Sequence, residues 1–218
     1  KEIYEQPQVI QDTLDGRISH NAALEAAFGV KAKAIFNKVK RVQIVACGTS
    51  FHAGQVAKYW FESIARLPCQ VDIASDYRYR DIIVQPGTLF VTISQSGETA
   101  DTLAALRYAS EKPYVASLAI CNVATSSLVR ESDFCILTMA GREIGVASTK
   151  AFTTQLTLLL ILSIVLARRT GLKPSQESKL IKELAKLPAL IEKTLALNNE
   201  IKKTSKQFSD KHHSLFLG

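Results

Sequence analysis

Three short stretches of this sequence gather hydroxyls, amides and glycine where an apolar run stops and a helical pattern starts: ACGTSFHAG at 46–54, SQSGETAD at 94–101 and AGREIGVASTKA at 140–151. Such a junction exposes the unpaired N–H groups of a first helical turn at the positive end of the helix dipole, and that is a setting for anion binding. In the second stretch Ser94, Gln95 and Ser96 offer two hydroxyls and an amide, and Thr99 adds a hydroxyl from the first turn. Gly97 is expected to let the backbone approach a ligand closely, and Asp101 suits the same helix end. SQSGET contains no Lys or Arg. An anion held there rests on neutral donors and the helix end, which suits a small phosphorylated metabolite that must enter and leave. Neither G-x-x-x-x-G-K-[ST] nor G-x-G-x-x-G occurs, so a nucleotide site is not indicated. The competing reading makes Ser96 or Thr99 a plain N-cap; three such stretches at strand ends weigh against it.

The first stretch offers Thr49 and Ser50 at the start of a helix. His52 has no acid placed beside it and reads as an ordinary helix residue, while Cys47 has no neighbour that lowers a thiol pKa and reads as lining. In the third stretch Ser148 or Thr149 suits a helix cap, and the small residues around Val146 and Ala147 leave backbone carbonyls open to a ligand hydroxyl. Glu143 and Lys150 are expected to pair and fix this loop. No residue of the chain is assigned a catalytic role. Four cysteines, at 47, 69, 121 and 135, form no C-x-x-C pair, and no His stands at zinc-ligand spacing. A disulfide framework, a metal and a cofactor are therefore not expected, and a reduced, cytoplasmic setting fits best.

The elements that must position these residues alternate. Apolar runs at 42–47, 70–74, 88–94, 114–121 and 134–138 read as strands, with helical stretches at 52–66, 99–111 and 149–168 between them. Several strands are apolar on both faces, so helices must cover both sides. The expected fold is α/β: a three-layer αβα sandwich with a five-stranded parallel sheet, doubly wound in the flavodoxin-like manner. Ligands in such sheets lie beyond the carboxyl ends of the strands, where all three stretches fall.

With 218 residues and 47% hydrophobic content, the chain can build one well-cored domain. The uncharged run 151–167 interrupts itself with Thr153, Thr154, Gln155, Thr157 and Ser163 and falls short of the ~20 residues a span needs, so it is expected to be a buried helix and no membrane partner is assigned. The net charge of +7 is concentrated beyond residue 167, where eleven Lys or Arg stand against five acids. Leu180, Leu184, Leu187, Ile191 and Leu195 recur there at three- and four-residue steps, so the lysines read as the wet face of an amphipathic helix. Phe208 alone stands between bases there, too little for a stacking surface, and no nucleic-acid partner is expected. Lys1 stands where a start codon gives Met, suggesting a piece of a longer polypeptide. KHHSLFLG at 211–218 repeats the outline of KRVQIVACG at 40–48, as if a second copy of the unit were beginning.

ACGTS, SQSGETADTL, SLAICNV, SSLVRESD and EIGVASTKAFTTQL together resemble the isomerase half of the glutamine:fructose-6-phosphate amidotransferase family, the glucosamine-6-phosphate synthases. The resemblance runs from KEIYEQP to FSDKHHSLFLG. It implies tandem sugar isomerase (SIS) domains behind a glutaminase domain, with residues 1–30 an interdomain linker and N-terminal helix, 31–172 the first SIS domain, 173–210 a connecting helical segment and 211–218 the start of a truncated second SIS domain. It implies that Ser50, Ser94, Gln95, Ser96 and Thr99 hold a sugar phosphate, and that Thr49, Val146 and Ser148 contact the sugar. The proton-transfer residues of that family belong to the second SIS domain, so this chain alone is expected to be inactive. A homodimer and the rest of the parent chain are its implied partners. The alternative is a stand-alone SIS module that senses a phosphosugar; the DNA-binding helix pair of a regulator is not found in this sequence.

Overall fold

Strands rich in Val, Ile and Leu on both faces can be stable only if both faces are covered. A computed structural model of the protein describes residues 1–145 and 148–215 and shows that cover. The strands are β1 (Arg41–Ala46), β2 (Cys69–Ile73), β3 (Thr88–Ser94), β4 (Ala116–Cys121) and β5 (Phe134–Leu137). The helices are α1 (Glu2–Leu14), α2 (Ala32–Phe36), α3 (Gly48–Ser63), α4 (Ala74–Tyr77), α5 (Ala100–Ser110), α6 (Ser127–Glu131), α7 (Lys150–Ala167), α8 (Pro174–Ala185), α9 (Leu187–Leu195) and α10 (Asn198–Ser205). All strand pairs are parallel, in the order β2-β1-β3-β4-β5, with Ile44 opposite Val91 and Val91 opposite Leu118. The expected three-layer, five-stranded parallel fold is the observed one.

Side-chain alternation divides the core in two. Ile44, Val91, Leu118 and Ile120 point toward α1, α3, α7 and α8, while Val45, Phe90 and Ala119 point toward α4, α5 and α6. Every residue of β3 is buried, which marks it as the middle of the sheet. α7 is apolar all round because it lies inside the first layer against α1 and α3; 78% of its most apolar window is buried in the fold. Its buried Thr154, Thr157 and Ser163 hydroxyls donate to carbonyls of their own helix, at Ala151, Thr153 and Leu160.

Two boundaries differ from the reading above. α3 starts at Gly48, so Thr49 and Ser50 belong to its first turn. The amphipathic stretch after 173 is three successive helices, the first two divided at Lys186 just ahead of Pro188, whose missing N–H and ring interrupt the helical ladder. Leu180, Ile181, Leu184, Leu187 and Ile191 pack on the core, but α10 buries no side chain. Residues 211–215 contain neither helix nor strand, and the rest of the expected 211–218 copy lies outside the described residues. Val146, expected at the site, also lies outside them.

Candidate anion-binding site

Strand order makes the site. Connections from β1 run outward to β2 on one side, and those from β3 run to β4 and β5 on the other, so β1 and β3 lie side by side at the point where the order reverses. Their carboxyl ends part there and leave a crevice. A cleft of about 460 Å³ occupies that place, within the range of small-ligand sites. The structure brings Thr49, Ser50, Ser94, Gln95, Ser96, Thr99 and Ser148 together on its walls. A second cleft, about 440 Å³, opens at the opposite end of the sheet near Arg41 and Thr88. In a parallel α/β fold that end receives helix C-termini, and it lacks the converging first turns of the first cleft.

Three long helices begin at the first cleft: α3 at Gly48, α5 at Ala100 and α7 at Lys150. Gly48 takes a left-handed φ of 56°, turning the chain sharply from β1 into α3. The first intrahelical bonds of α3 and α5 come from Phe51 to the Cys47 carbonyl and from Leu103 to the Thr99 carbonyl. The N–H groups ahead of them are the unpaired donors of a first turn. Thr99 caps α5 by position only, for its side chain makes no capping bond. The plain N-cap reading therefore fails for Thr99, whose hydroxyl lies 3.3 Å from Ser94 Oγ. Ser94 Oγ also accepts the Gly97 N–H at 3.0 Å, and Ser96 Oγ accepts that of Glu98 at 3.2 Å, so the hydroxyls shape the turn while facing the cleft.

Charges near the turn are taken away from the cleft. The Glu98 carboxylate accepts the Ser127 N–H at 2.7 Å, and this backbone bond holds it below its usual value. Asp101, which puts a negative charge in the first turn of α5, pairs with Arg78 at 3.1 Å. Among the described lining residues none is Lys or Arg, and Glu143 is the one carboxylate. The side-chain donors that the SQSGET turn presents to the cleft are neutral.

Gly97 is present for a different reason than expected. Its φ of 69° is left-handed, and a Cβ added to it would lie 2.2 Å from Ser126 Oγ, 2.5 Å from Ser126 Cβ and 2.7 Å from Cys121 Sγ. The turn is pressed against the start of α6 and the end of β4, so the glycine serves packing within the protein.

The third wall also departs from expectation. Glu143 and Lys150 do not pair. Glu143 Oε1 accepts the N–H groups of Thr149 at 2.9 Å and Ala151 at 3.3 Å, and Ser148 Oγ donates to Oε2 at 3.1 Å. The positive end of α7 is thus already neutralised by the protein's own carboxylate. Lys150, 3% exposed, pairs instead with Glu5 of α1 at 2.6 Å. The first turns of α3 and α5 are the two left for a foreign anion. His52 is exposed and stacks edge-on against Phe51, off the cleft, while Cys47 lines it.

One lining residue escaped the sequence reading. Thr102 is 1% exposed, lines the cleft, and its Oγ1 has no hydrogen-bond partner among the described residues. Buried hydroxyls are normally satisfied, so an unpaired one beside the cleft stands out. Its signal was legible, for Thr102 follows Thr99 by three residues and shares its helix face.

Residues 35–165 match the family model of the SIS domain, and the chain belongs to the SIS-domain family. Over its whole length it is 59% identical to the glutamine–fructose-6-phosphate aminotransferase (isomerizing) of Pseudomonas syringae pv. tomato and 56% identical to the protein of that name from Haemophilus influenzae. It covers 36% of each, so the chain spans about a third of the length of these curated relatives. Among solved structures, the C-terminal domain of glucosamine-fructose-6-phosphate aminotransferase from Francisella tularensis superposes with a TM-score of 0.95 at 51% identity, over all of this chain and 61% of that one.

Proposed function

We propose that this chain is the sugar-phosphate-binding part, the first SIS domain, of an enzyme that converts fructose 6-phosphate and glutamine to glucosamine 6-phosphate and glutamate. The observation that carries the reading is the pairing of two free helix N-termini, at α3 and α5, over one cleft whose described lining offers hydroxyls and an amide beside the single carboxylate of Glu143. The likeness to the aminotransferases over the full chain supports the choice of substrate.

In this reading Ser50, Ser94, Gln95, Ser96 and Thr99 hold the phosphate at the ends of α3 and α5. Thr49, Val146 and Ser148 are assigned to the sugar. Neutral donors bind a dianion without the slow exchange that buried ion pairs impose, and they orient the sugar carbonyl for ammonia addition and for proton transfer between neighbouring carbons. The groups that move protons are assigned to the remainder of the parent polypeptide, so the isolated chain binds substrate and turns over little or none. The parent is a cytoplasmic enzyme of hexosamine synthesis acting as a homodimer. Residues 31–172 form the SIS unit, 1–30 its linker and 173–210 the connection to a second unit.

The test is a titration of the chain with glucose 6-phosphate or fructose 6-phosphate, followed through the amide signals of residues 94–99. Ser96→Ala is expected to weaken binding by about 1 to 3 kcal/mol, the value of a hydrogen bond to a charged group. Unchanged affinity in that variant overturns the assignment.

A further inference from the structure

The wall of the cleft formed by the third stretch is not held by the SIS unit alone. α1 lies along α7 with Val9, Ile10 and Leu14 buried, and it precedes the residues that match the SIS family. Its two ends grip the chain that leaves β5. At the C-terminal end Thr13 Oγ1 donates to the Thr138 carbonyl, and Arg17, just beyond the helix, donates to the Leu137 carbonyl at 2.6 Å. At the N-terminal end the Glu2 carboxylate accepts the N–H groups of Ile144 at 2.5 Å and Gly145 at 3.1 Å, and Glu5 holds Lys150 at 2.6 Å.

The last contact is electrostatically demanding. Lys150 is nearly fully buried in the first turn of α7, where the helix dipole opposes a positive charge, so it stays there only with a counter-charge beside it. Gly145, itself held by Glu2, and Ser148, two residues before Lys150, line the cleft together with Glu143. The contacts to α1 therefore lie within one or two residues of cleft-lining groups.

We infer that α1 is a brace for the sugar side of the site: Glu2 and Glu5 are positioning residues that set the pose of Gly145 and Ser148, and through them the recognition of the sugar as distinct from its phosphate. This inference rests on the sugar-phosphate reading above. It makes the site responsive to whatever pulls on or twists α1, since a shift of about 1 Å in a positioning group is enough to change how a ligand is held.

The experiment compares two probes on the 218-residue chain: glucose 6-phosphate, which touches both sides of the cleft, and inorganic phosphate, which touches only the α3 and α5 ends. Dissociation constants are read from amide shifts for wild type and for Glu2→Gln/Glu5→Gln, a near-isosteric pair of changes at the helix end. The expected result is a loss of glucose 6-phosphate affinity of about fivefold or more, the lower end of ordinary site-to-site coupling, with inorganic phosphate affinity changed less than about twofold. A merely structural role weakens both probes alike, and that outcome overturns the inference, as does undiminished glucose 6-phosphate binding in the variant. If the wild-type chain binds neither probe at residues 94–99, the sugar-phosphate reading falls and the brace falls with it.

Discussion

Replacing Gly97 by alanine separates two reasons for a glycine at the cleft. If the glycine exists so that a ligand can approach, the added methyl harms binding and leaves stability alone. The structure assigns it to internal packing, which reverses the expectation. The left-handed φ of 69° costs a residue with a Cβ about 1 to 2 kcal/mol. Contacts of 2.2 and 2.5 Å to Ser126 and 2.7 Å to Cys121 Sγ force the turn or α6 to move, and overpacking of this kind costs about 1 to 3 kcal/mol. Together Gly97→Ala is expected to lose about 2 to 5 kcal/mol, a fall in Tm on the order of 5 to 15 °C for a chain of this size. Ser126→Gly removes the two shorter contacts. The double variant should then recover the Ser126 share of the steric cost and keep the backbone penalty and the Cys121 contact, giving a coupling of about 1 kcal/mol between the two sites. Thermal and urea denaturation of the four proteins in the absence of ligand measure it. A Gly97→Ala protein within about 0.5 kcal/mol of wild type, but defective in glucose 6-phosphate binding, refutes the packing argument.

Other expectations follow from neighbouring residues. Thr102→Val removes a buried hydroxyl that has no partner, so the ligand-free protein should melt at or above the wild-type temperature while sugar-phosphate affinity falls by about 1 kcal/mol; a drop in ligand-free stability contradicts the orphan reading. Glu98 is held below its usual 4.5 by the Ser127 N–H. Because a lowered carboxylate stabilises the fold above its unfolded value and stops doing so as pH falls through the folded one, the Ser127 amide signal should move only below about pH 4.5, and a midpoint above that value contradicts the bond. Glu177, 6% exposed, accepts both the Ala23 N–H at 2.9 Å and the Arg168 guanidinium. Glu177→Ala should cost about 3 kcal/mol by leaving the buried Ala23 N–H unpaired and Arg168 with only the more distant Glu25 carboxylate, at 4.0 Å, read as a lowered urea midpoint; a loss under about 1 kcal/mol shows the junction of α8 with residues 17–24 to be marginal.

Much of this molecule is local in origin. The runs 42–47, 88–94 and 134–138 lie within a residue of β1, β3 and β5, because a strand buried on both faces is an uninterrupted apolar string that neighbouring residues spell out. The start of α5 and the hydroxyls of SQSGET were equally readable, since a first turn and its donors occupy adjacent positions. The single amphipathic helix after 173 was not, for its apolar spacing passes through Lys186 unchanged while Pro188 breaks the ladder beneath it.

Residue types and their order along the chain determined a parallel α/β sheet with three hydroxyl-rich turns at one end, uncharged where an anion could rest. Only the tertiary structure decided which helix ends stay open. Glu143 closes α7, Lys150 reaches Glu5 at a separation of 145 residues, and the turn at Gly97 is shaped by Ser126 and Cys121. Such choices depend on which distant side chains share a dry volume, where each charge needs a partner and each methyl needs space, and no pattern of neighbours along the chain records that.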